Sequence, residues 1–354
     1  MLDGSPPRND RIETTRAVNE SDTRSFPPPP DGRHGWPWTR DDDDTALEPP
    51  TKRESVPRVT VITPSFNQGE YLEEAIRSVI LQDHPNLEYI VIDGASTDNS
   101  VEVVKRYGPW ISFWVSEPDD GQAGAINRGF ERATGDYLCW LNADDVLYQG
   151  FLSRRVAEFA TRPATDLIYG DVHSGWDDSE RHDFRGESLP YLEMLRTLRV
   201  SIPQQSAVWR KAAVDRLGGL DPRWHVVLDR EFFLRLARNC DMTYIPGACG
   251  FFRQHGAAKS VAEKTTWVTE LPRMYQEFFA AEDLTRDEAK LEGQTMAAVH
   301  LLCADILRGS RDWAGSTSHT VRAMTWSPRH AVASFLAARI QGLRRRLSGS
   351  VAHR

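Results

Sequence analysis

Between residues 58 and 141 the apolar positions alternate between two rhythms. Val59-Thr60-Val61-Ile62-Thr63 is a β-branched run closed by Pro64, which reads as a buried strand. Beyond it Leu72, Ala75, Ile76, Val79 and Ile80 fall at helical spacing, and Asn67 with Glu70 three residues later has the form of a capping box that would start this helix. The unit repeats. Leu87 to Ile92 is a second strand; Ser100 to Tyr107 is a second helix stopped by Gly108-Pro109. Ile111 to Val115 is a third strand, Ala123, Ile126, Phe130 and Ala133 mark a third helix that Gly135 ends, and Tyr137 to Leu141 is a fourth strand. Such alternation predicts a parallel sheet with helices on both faces and a ligand site at the strands' carboxyl ends, where Thr63-Pro64-Ser65, Asp93 and Asp144-Asp145 fall.

The fourth strand runs straight into two adjacent carboxylates in Cys139-Trp-Leu-Asn-Ala-Asp-Asp-Val146. Hard divalent cations take oxygen ligands, commonly one or two carboxylates together with substrate phosphates, so Asp144 and Asp145 suit a Mg²⁺ or Mn²⁺ site. A solvated turn or a helix start, where Asp is common, is the competing reading. In the second half, Phe232, Phe233 and Leu236 sit at helical spacing in Leu228-Asp229-Arg230-Glu231-Phe232-Phe233-Leu234-Arg235-Leu236, which puts Asp229 in a first helical turn. That position is open to a cleft, and it is equally one the helix dipole favours for Asp.

Composition narrows the class. With 354 residues, 40% of them hydrophobic, the chain holds one large domain with appendages. A formal net charge of −8 argues against nucleic-acid binding and points to a small ligand. Cys139, Cys240, Cys249 and Cys303 show no metal-ligand or redox spacing and read as reduced and intracellular. No apolar run approaches the roughly 18 to 20 residues of a membrane span, so the expected location is cytoplasmic, with attachment at the inner membrane face as the alternative. Residues 1–56, with Phe26-Pro27-Pro28-Pro29-Pro30 and the acid run Asp41 to Asp44, read as a disordered Pro/Asp-rich tail. Past Val261 three helices are expected, at 271–279, 287–307 and 330–347, with Met296, Val299, His300 and Cys303 as one stripe. From Val321 to Arg354 there are seven Arg and no acid, with Phe335, Leu336, Ile340, Leu343 and Leu347 interleaved. Two readings stand for that piece: a docked C-terminal helix, or a basic amphipathic helix giving peripheral contact with an anionic membrane.

Residues 58 to 260 resemble the inverting glycosyltransferases of family 2. Thr63-Pro64-Ser65-Phe66-Asn67 is similar to that family's opening nucleotide loop, and Asp93-Gly94-Ala95-Ser96-Thr97-Asp98 to its second-strand motif. The segment from Gly121 to Gly129 resembles the stretch before the metal strand, and Asn142-Ala143-Asp144-Asp145 the DXD region. The resemblance implies an α/β GT-A-type αβα sandwich with a mostly parallel central sheet over residues 57–260, followed by a helical extension over 261–354. It implies nucleotide contacts from Thr63, Pro64, Ser65, Asp93, Gln122, Asn127 and Asn142, and metal ligation by Asp144, Asp145 and His255. Acceptor or diphosphate contacts would come from Gln204, Gln205, Arg253 and Lys259, and Asp229 would be the general base. The implied reaction is metal-dependent inverting transfer from a nucleotide diphosphate sugar to the hydroxyl of a saccharide or lipid-linked saccharide, in polysaccharide or glycolipid assembly.

Three positions depart from the pattern. Gly94 stands where many members carry a second acid, Gly124 where related sequences often have Asp, and Asn142 replaces the first acid of DXD. A uridine donor therefore does not follow. Two other classes remain, a sugar nucleotidyltransferase and a catalytically degenerate sugar-nucleotide-binding protein. The first usually has a basic, Gly-rich loop after the opening strand, and Thr63 to Gly69 has no Lys or Arg. The second would have lost Asp229 or both Asp144 and Asp145, and all three are present. No GxGxxG fingerprint supports a dinucleotide oxidoreductase.

Overall fold

A computed structural model describes residues 26–39, 56–82, 84–176, 180–256 and 258–333, without the side chains of 260 and 261. The strands are β1 (Val59–Ser65), β2 (Leu87–Asp93), β3 (Phe113–Ser116), β4 (Tyr137–Trp140), β5 (Val146–Leu147), β6 (Leu167–Gly175), β7 (His182–Phe184), β8 (Val208–Arg210) and β9 (Met242–Arg253). The helices are α1 (Leu72–Ile80), α2 (Ser100–Tyr107), α3 (Gln122–Arg132), α4 (Phe151–Ala160), α5 (Tyr191–Thr197), α6 (Lys211–Leu217), α7 (Leu228–Asn239), α8 (Lys259–Ala262), α9 (Lys264–Phe279), α10 (Arg286–Gly309) and α11 (Trp313–Trp326).

All strands join one sheet in the order β3-β2-β1-β4-β8-β6-β9-β5, with β7 beside β6. Every residue of β1 is buried, because helices cover both faces and no alternation with polar residues survives. Parallel pairing links β1 to β2 and β4, β2 to β3, and β6 to β9; the shorter ladders of β8, β5 and β7 are antiparallel. The register sets Ser65 beside Asp93 and Asp93 beside Ser116, a polar row across the carboxyl ends of three strands. Helix α3 lies close on β1 because Gly129 has no side chain: a Cβ there would meet Ile62 Cγ2 at 2.5 Å.

The chain divides into two compact units. One comprises the described residues up to Ser188 with Ser201–Arg223 and Arg235–His255. The other comprises Leu189–Val200, Trp224–Leu234 and the described residues from Gly256 onward. In the second unit α10 opens with a true capping box, Thr285 with Glu288, and buries Met296, Val299, His300 and Cys303, the stripe expected from the sequence. Thr295 Oγ1 donates to the Leu195 carbonyl of α5 at 3.1 Å, and Tyr191 OH to Glu288 Oε1 at 2.8 Å.

Two expectations are corrected. Helix α1 starts at Leu72 with Tyr71 as N-cap and no side-chain cap, so Asn67 and Glu70 are not its capping box. Asn67 instead takes the left-handed conformation, φ 52°, and its Oδ1 accepts from the Thr97 N–H at 2.8 Å, lacing the loop after β1 to the loop after β2. Residues 26–39 do not follow the expectation of disorder. The buried Arg77 guanidinium of α1 donates to the carbonyls of Pro27 (2.8 Å), Pro37 (3.2 Å) and Trp38 (3.1 Å), and lies 4.8 Å under the Phe26 ring. Trp36 Nε1 donates to the Leu147 carbonyl at 2.6 Å. Aromatic and proline carbonyl groups thus give this stretch a partner that its composition hides. Residues 1–25 and 40–55 lie outside the described residues, as does all but the first turn of the helix expected over 330–347.

Candidate functional site

The ends of β1 and β2 form a polar shelf. The Ser65 hydroxyl is buried with no hydrogen-bond partner among the described residues, while Phe66 beside it is 61% exposed. Thr63 and Pro64 are buried within β1, and Thr63 Oγ1 accepts from Tyr89 OH at 3.0 Å. Asp93, 1% exposed, accepts from the Ser96 N–H (2.9 Å), Ser96 Oγ (2.5 Å) and Ser116 Oγ (2.6 Å). Its carboxylate therefore shapes the loop. Asp98 likewise accepts from the Gly69 N–H at 2.8 Å and from Ser100 Oγ at 2.6 Å.

Gly94 acquires a meaning here. A Cβ at residue 94 would stand 2.9 Å from Asp119 Oδ2, so the Asp119 carboxylate occupies space that a side chain at 94 would claim. Burial raises the Asp119 carboxyl above its ordinary value, opposed by a hydrogen bond from the Gly121 N–H and by Arg128, with Asp93 and Asp120 raising it further. Asp119 was not among the expected site residues; the only sequence signal was the missing acid at 94.

The acidic loop after β4 is built from distant segments. Asp145 is 1% exposed and accepts from Gln205 Nε2 (2.8 Å), Asn142 Nδ2 (3.0 Å) and the Arg253 N–H (3.0 Å). Burial and the adjacent Asp144 push its carboxyl well above the usual carboxylate range despite those bonds. Asp144 is more open, and its Oδ2 lies 3.0 Å from His255 Nε2. The His255 ring rests against Tyr71 with centroids 4.7 Å apart. Arg253 donates from Nε to the Asp144 carbonyl (3.0 Å), pairs with Glu74 (2.9 Å) and lies 5.2 Å over the Tyr71 ring.

Several expected contact residues are committed to this scaffold. Gln122 Nε2 donates to Asn142 Oδ1 at 2.8 Å, Gln204 Nε2 to the Trp140 carbonyl at 2.5 Å, and Gln205 to Asp145 as above. These amides orient the acidic loop. Asn127 spends both ends of its amide on Leu220, Nδ2 donating to the carbonyl at 2.7 Å and Oδ1 accepting from the N–H at 2.8 Å. It is a clamp between α3 and the chain before α7.

Asp229 belongs to the second unit and lies in the first turn of α7, as its spacing implied. Oδ1 accepts from the Arg230 N–H at 2.7 Å, and burial raises the carboxyl above its ordinary value, against the Arg230 charge and backbone hydrogen bonds. The turn before it is pinned by Glu270 of α9, whose carboxylate accepts from the N–H groups of His225 (2.9 Å), Val226 (2.9 Å) and Val227 (3.3 Å). Sequence reading missed Glu270 because its partners are more than 40 positions away. Lys259, in the same unit, has Nζ 3.5 Å from His225 Nδ1.

The family model described as glycosyl transferase family 2 matches residues 60–216, which span β1 to α6. An uncharacterized glycosyltransferase of Mycobacterium tuberculosis (strain CDC 1551 / Oshkosh) is 31% identical over 190 residues, 53% of this chain and 71% of its own. The chain belongs to glycosyl transferase family 2. A second family relative, the PGL/p-HBAD biosynthesis glycosyltransferase of Mycobacterium bovis (strain BCG / Pasteur 1173P2), is 29% identical over 189 residues, 52% of this chain and 72% of that one.

Solved structures confirm the GT-A-type fold of this family 2 member. Residues 1–349 of Staphylococcus aureus TarS in complex with UDP-GlcNAc align with a TM-score of 0.54 at 17% identity, covering 75% of this chain and 81% of that one. The mannosyltransferase PcManGT of Pyrobaculum calidifontis, in complex with GDP-Man and Mn²⁺, aligns with a TM-score of 0.54 at 18% identity, covering 82% of each chain. The protein is a glycosyltransferase.

Proposed function

We propose that this glycosyltransferase moves a sugar from a nucleotide diphosphate sugar to an acceptor hydroxyl, with a divalent cation and inversion at the anomeric carbon. The observation that carries the metal reading is the approach of Asp144 Oδ2 to His255 Nε2 at 3.0 Å, beside an Asp145 already engaged by three donors. Carboxylate plus imidazole fits Mn²⁺ well and leaves most positions for diphosphate and water; Mg²⁺ is met by the carboxylate. Among the described residues no group of three or more His, Cys, Asp or Glu side chains is assembled to hold a metal alone. Asp144 is the direct ligand in this reading and Asp145 the residue that fixes its loop. A bound cation would neutralise charge developing on the diphosphate leaving group.

The protein's own groups do the rest. Phe66 offers an exposed ring for the nucleobase, and Ser65 Oγ an unsatisfied hydroxyl at the strand end. Asp119, beside Gly94, supplies the carboxylate that residue 94 lacks for base or ribose. Asp229 takes the acceptor proton; its raised proton affinity suits a general base. Arg253 and Lys259 remain proposed partners of the diphosphate or acceptor, though Arg253 also braces the acidic loop. The acceptor is proposed to be a saccharide or lipid-linked saccharide in polysaccharide or glycolipid assembly, in keeping with the printed name of the Mycobacterium bovis relative. Action on the cytoplasmic side, with the basic stretch beyond Val321 meeting the membrane, completes the proposal. Among the described residues no helix is long and apolar enough to cross a membrane.

A screen of nucleotide sugars for Mn²⁺-dependent release of nucleoside diphosphate, with and without acceptor extract, tests this reading. Release from one donor that needs both cation and acceptor supports it; equal release in excess chelator removes the metal from the mechanism.

A further inference from the structure

A second polar concavity lies in the second unit, among α9, α10 and α11. It is an open cavity of roughly 430 Å³ lined from α9, α10 and α11, and its polar lining includes Arg273, Gln276, His300, His319 and Arg322, with Trp326 as an apolar wall. Among the described residues that line it there is no carboxylate. In a chain with a formal net charge of −8, a cavity whose described lining has two guanidinium groups and two imidazoles, with Glu277 paired to one guanidinium from outside that lining, is a local inversion of sign.

The two imidazoles form one hydrogen-bonded device. His300 Nδ1 lies 3.1 Å from His319 Nδ1, and both residues are buried. In the neutral pair one Nδ1 carries the shared proton and the other accepts it, so one Nε2 is a donor and the other an acceptor. Adding a single proton makes both Nε2 atoms donors without breaking the Nδ1 contact. Neither Nε2 has a hydrogen-bond partner among the described residues, nor does the Arg322 guanidinium have a carboxylate there. The Arg273 Nε is paired with Glu277 at 2.8 Å, which holds that guanidinium in place and leaves it further N–H groups. Arg273 also lies 5.1 Å over the Trp224 ring.

We propose that this cavity binds the phosphate group of a small ligand, held by Arg322, Arg273 and the two Nε2 atoms, with uptake of one proton by the His300–His319 pair. A tetrahedral oxyanion matches the inventory: it accepts from several N–H donors at once, and guanidinium is the preferred partner of phosphate. Without an anion the pair resists protonation. Burial lowers the His300 pKa to about 4, with the neighbouring His319 and Arg322 lowering it further. Burial and Arg322 lower that of His319 as well. Among the described residues the neighbours that lower the pair are His319 and Arg322, and an anion in the cavity would act against them. The phosphate has two possible sources, a soluble phosphorylated compound or a phospholipid headgroup, and the chemistry at the cavity is the same for both. This inference is independent of the proposed donor site.

The test follows the His300 and His319 side-chain ¹⁵N resonances of the full chain in excess chelator, which removes any metal-dependent anion binding. Sulfate is the soluble probe, because it is a tetrahedral dianion that does not titrate near neutral pH. Vesicles of phosphatidic acid, against phosphatidylcholine alone, are the lipid probe. Either probe should move both imidazoles towards the protonated form, more tightly at pH 6 than at pH 8. Arg322→Ala, at an exposed position, should weaken binding about 10-fold, as expected for one charge-assisted contact. A response to sulfate alone identifies a soluble ligand, and a response to phosphatidic acid alone identifies a headgroup. The proposal is overturned if neither probe shifts the imidazoles of the parent protein at pH 6, or if Arg322→Ala binds as tightly as the parent.

Discussion

Asp119 Oδ2 lies so near the Cα of Gly94 that a Cβ there would stand 2.9 Å from it. The absent second acid of the β2 motif is thereby matched by a carboxylate delivered from the loop after β3. Gly94→Ala should displace Asp119, and Asp119→Asn should remove its charge while keeping its shape. Calorimetric titration of nucleoside diphosphates should show weaker binding for both variants, with a fold that costs about 1 kcal/mol for the first. Unchanged affinity in Asp119→Asn would take Asp119 out of the donor site.

Asp229→Asn should retain donor affinity and lose roughly 10²- to 10⁴-fold in turnover, the range for a positioned base. Because the Asp229 carboxyl is raised, the acid limb of kcat/KM should fall at a pH above that of an ordinary Asp. Glu270→Gln should shift that limb and lower kcat with little change in donor KM, since Glu270 accepts from the N–H groups that fix the turn before Asp229. A normal rate in Asp229→Asn would send the search for the base elsewhere.

Much of the donor half was legible in the chain because its signals are local. The alternation of β-branched runs and amphipathic helices gave β1 to β4, and the burial of Leu72, Ala75, Ile76 and Val79 follows from their spacing. The partners of the acidic loop were not legible. Gln205 reaches Asp145 over 60 positions and Arg253 over 108, and no local pattern announces a pairing decided by where β8 and β9 enter the sheet. The packed stretch at residues 26–39 escaped for a related reason: proline carbonyls become ligands only when a buried Arg77 is brought to them.

That stretch should matter for stability. Removing residues 1–39 leaves the Arg77 guanidinium without three carbonyl partners and the Leu147 carbonyl without the Trp36 N–H. Hydrogen bonds to a buried charge are worth about 1.5 to 3 kcal/mol each, so the truncated protein should lose at least about 2 kcal/mol in urea unfolding. An unchanged midpoint would mean that the segment only lies on the surface.

Two buried groups should give opposite pH responses. Asp145 has a raised carboxyl, so the folded protein binds its proton more tightly than the unfolded chain, and stability is lost as pH rises above the ordinary Asp value towards the folded one. A cation at Asp144 relieves that cost, and Mn²⁺ should therefore raise Tm more at pH 7 than at pH 5. His300 is lowered to about 4, so its contribution is present above about 6.5 and is lost as pH falls towards 4. Its ring should remain neutral at pH 5 by ¹⁵N chemical shift when no anion is bound; a protonated ring there would contradict the assigned burial effect.

The most direct test of the donor site is calorimetric binding of a nucleoside diphosphate to the parent protein and to the Asp144→Ala, His255→Ala double variant, each with Mn²⁺ and with excess chelator. Binding by the parent that requires Mn²⁺, and loss of that requirement together with most of the affinity in the variant, is the expected result. Equal affinity in all four titrations would contradict the assignment of Asp144 and His255 to a metal-bridged diphosphate.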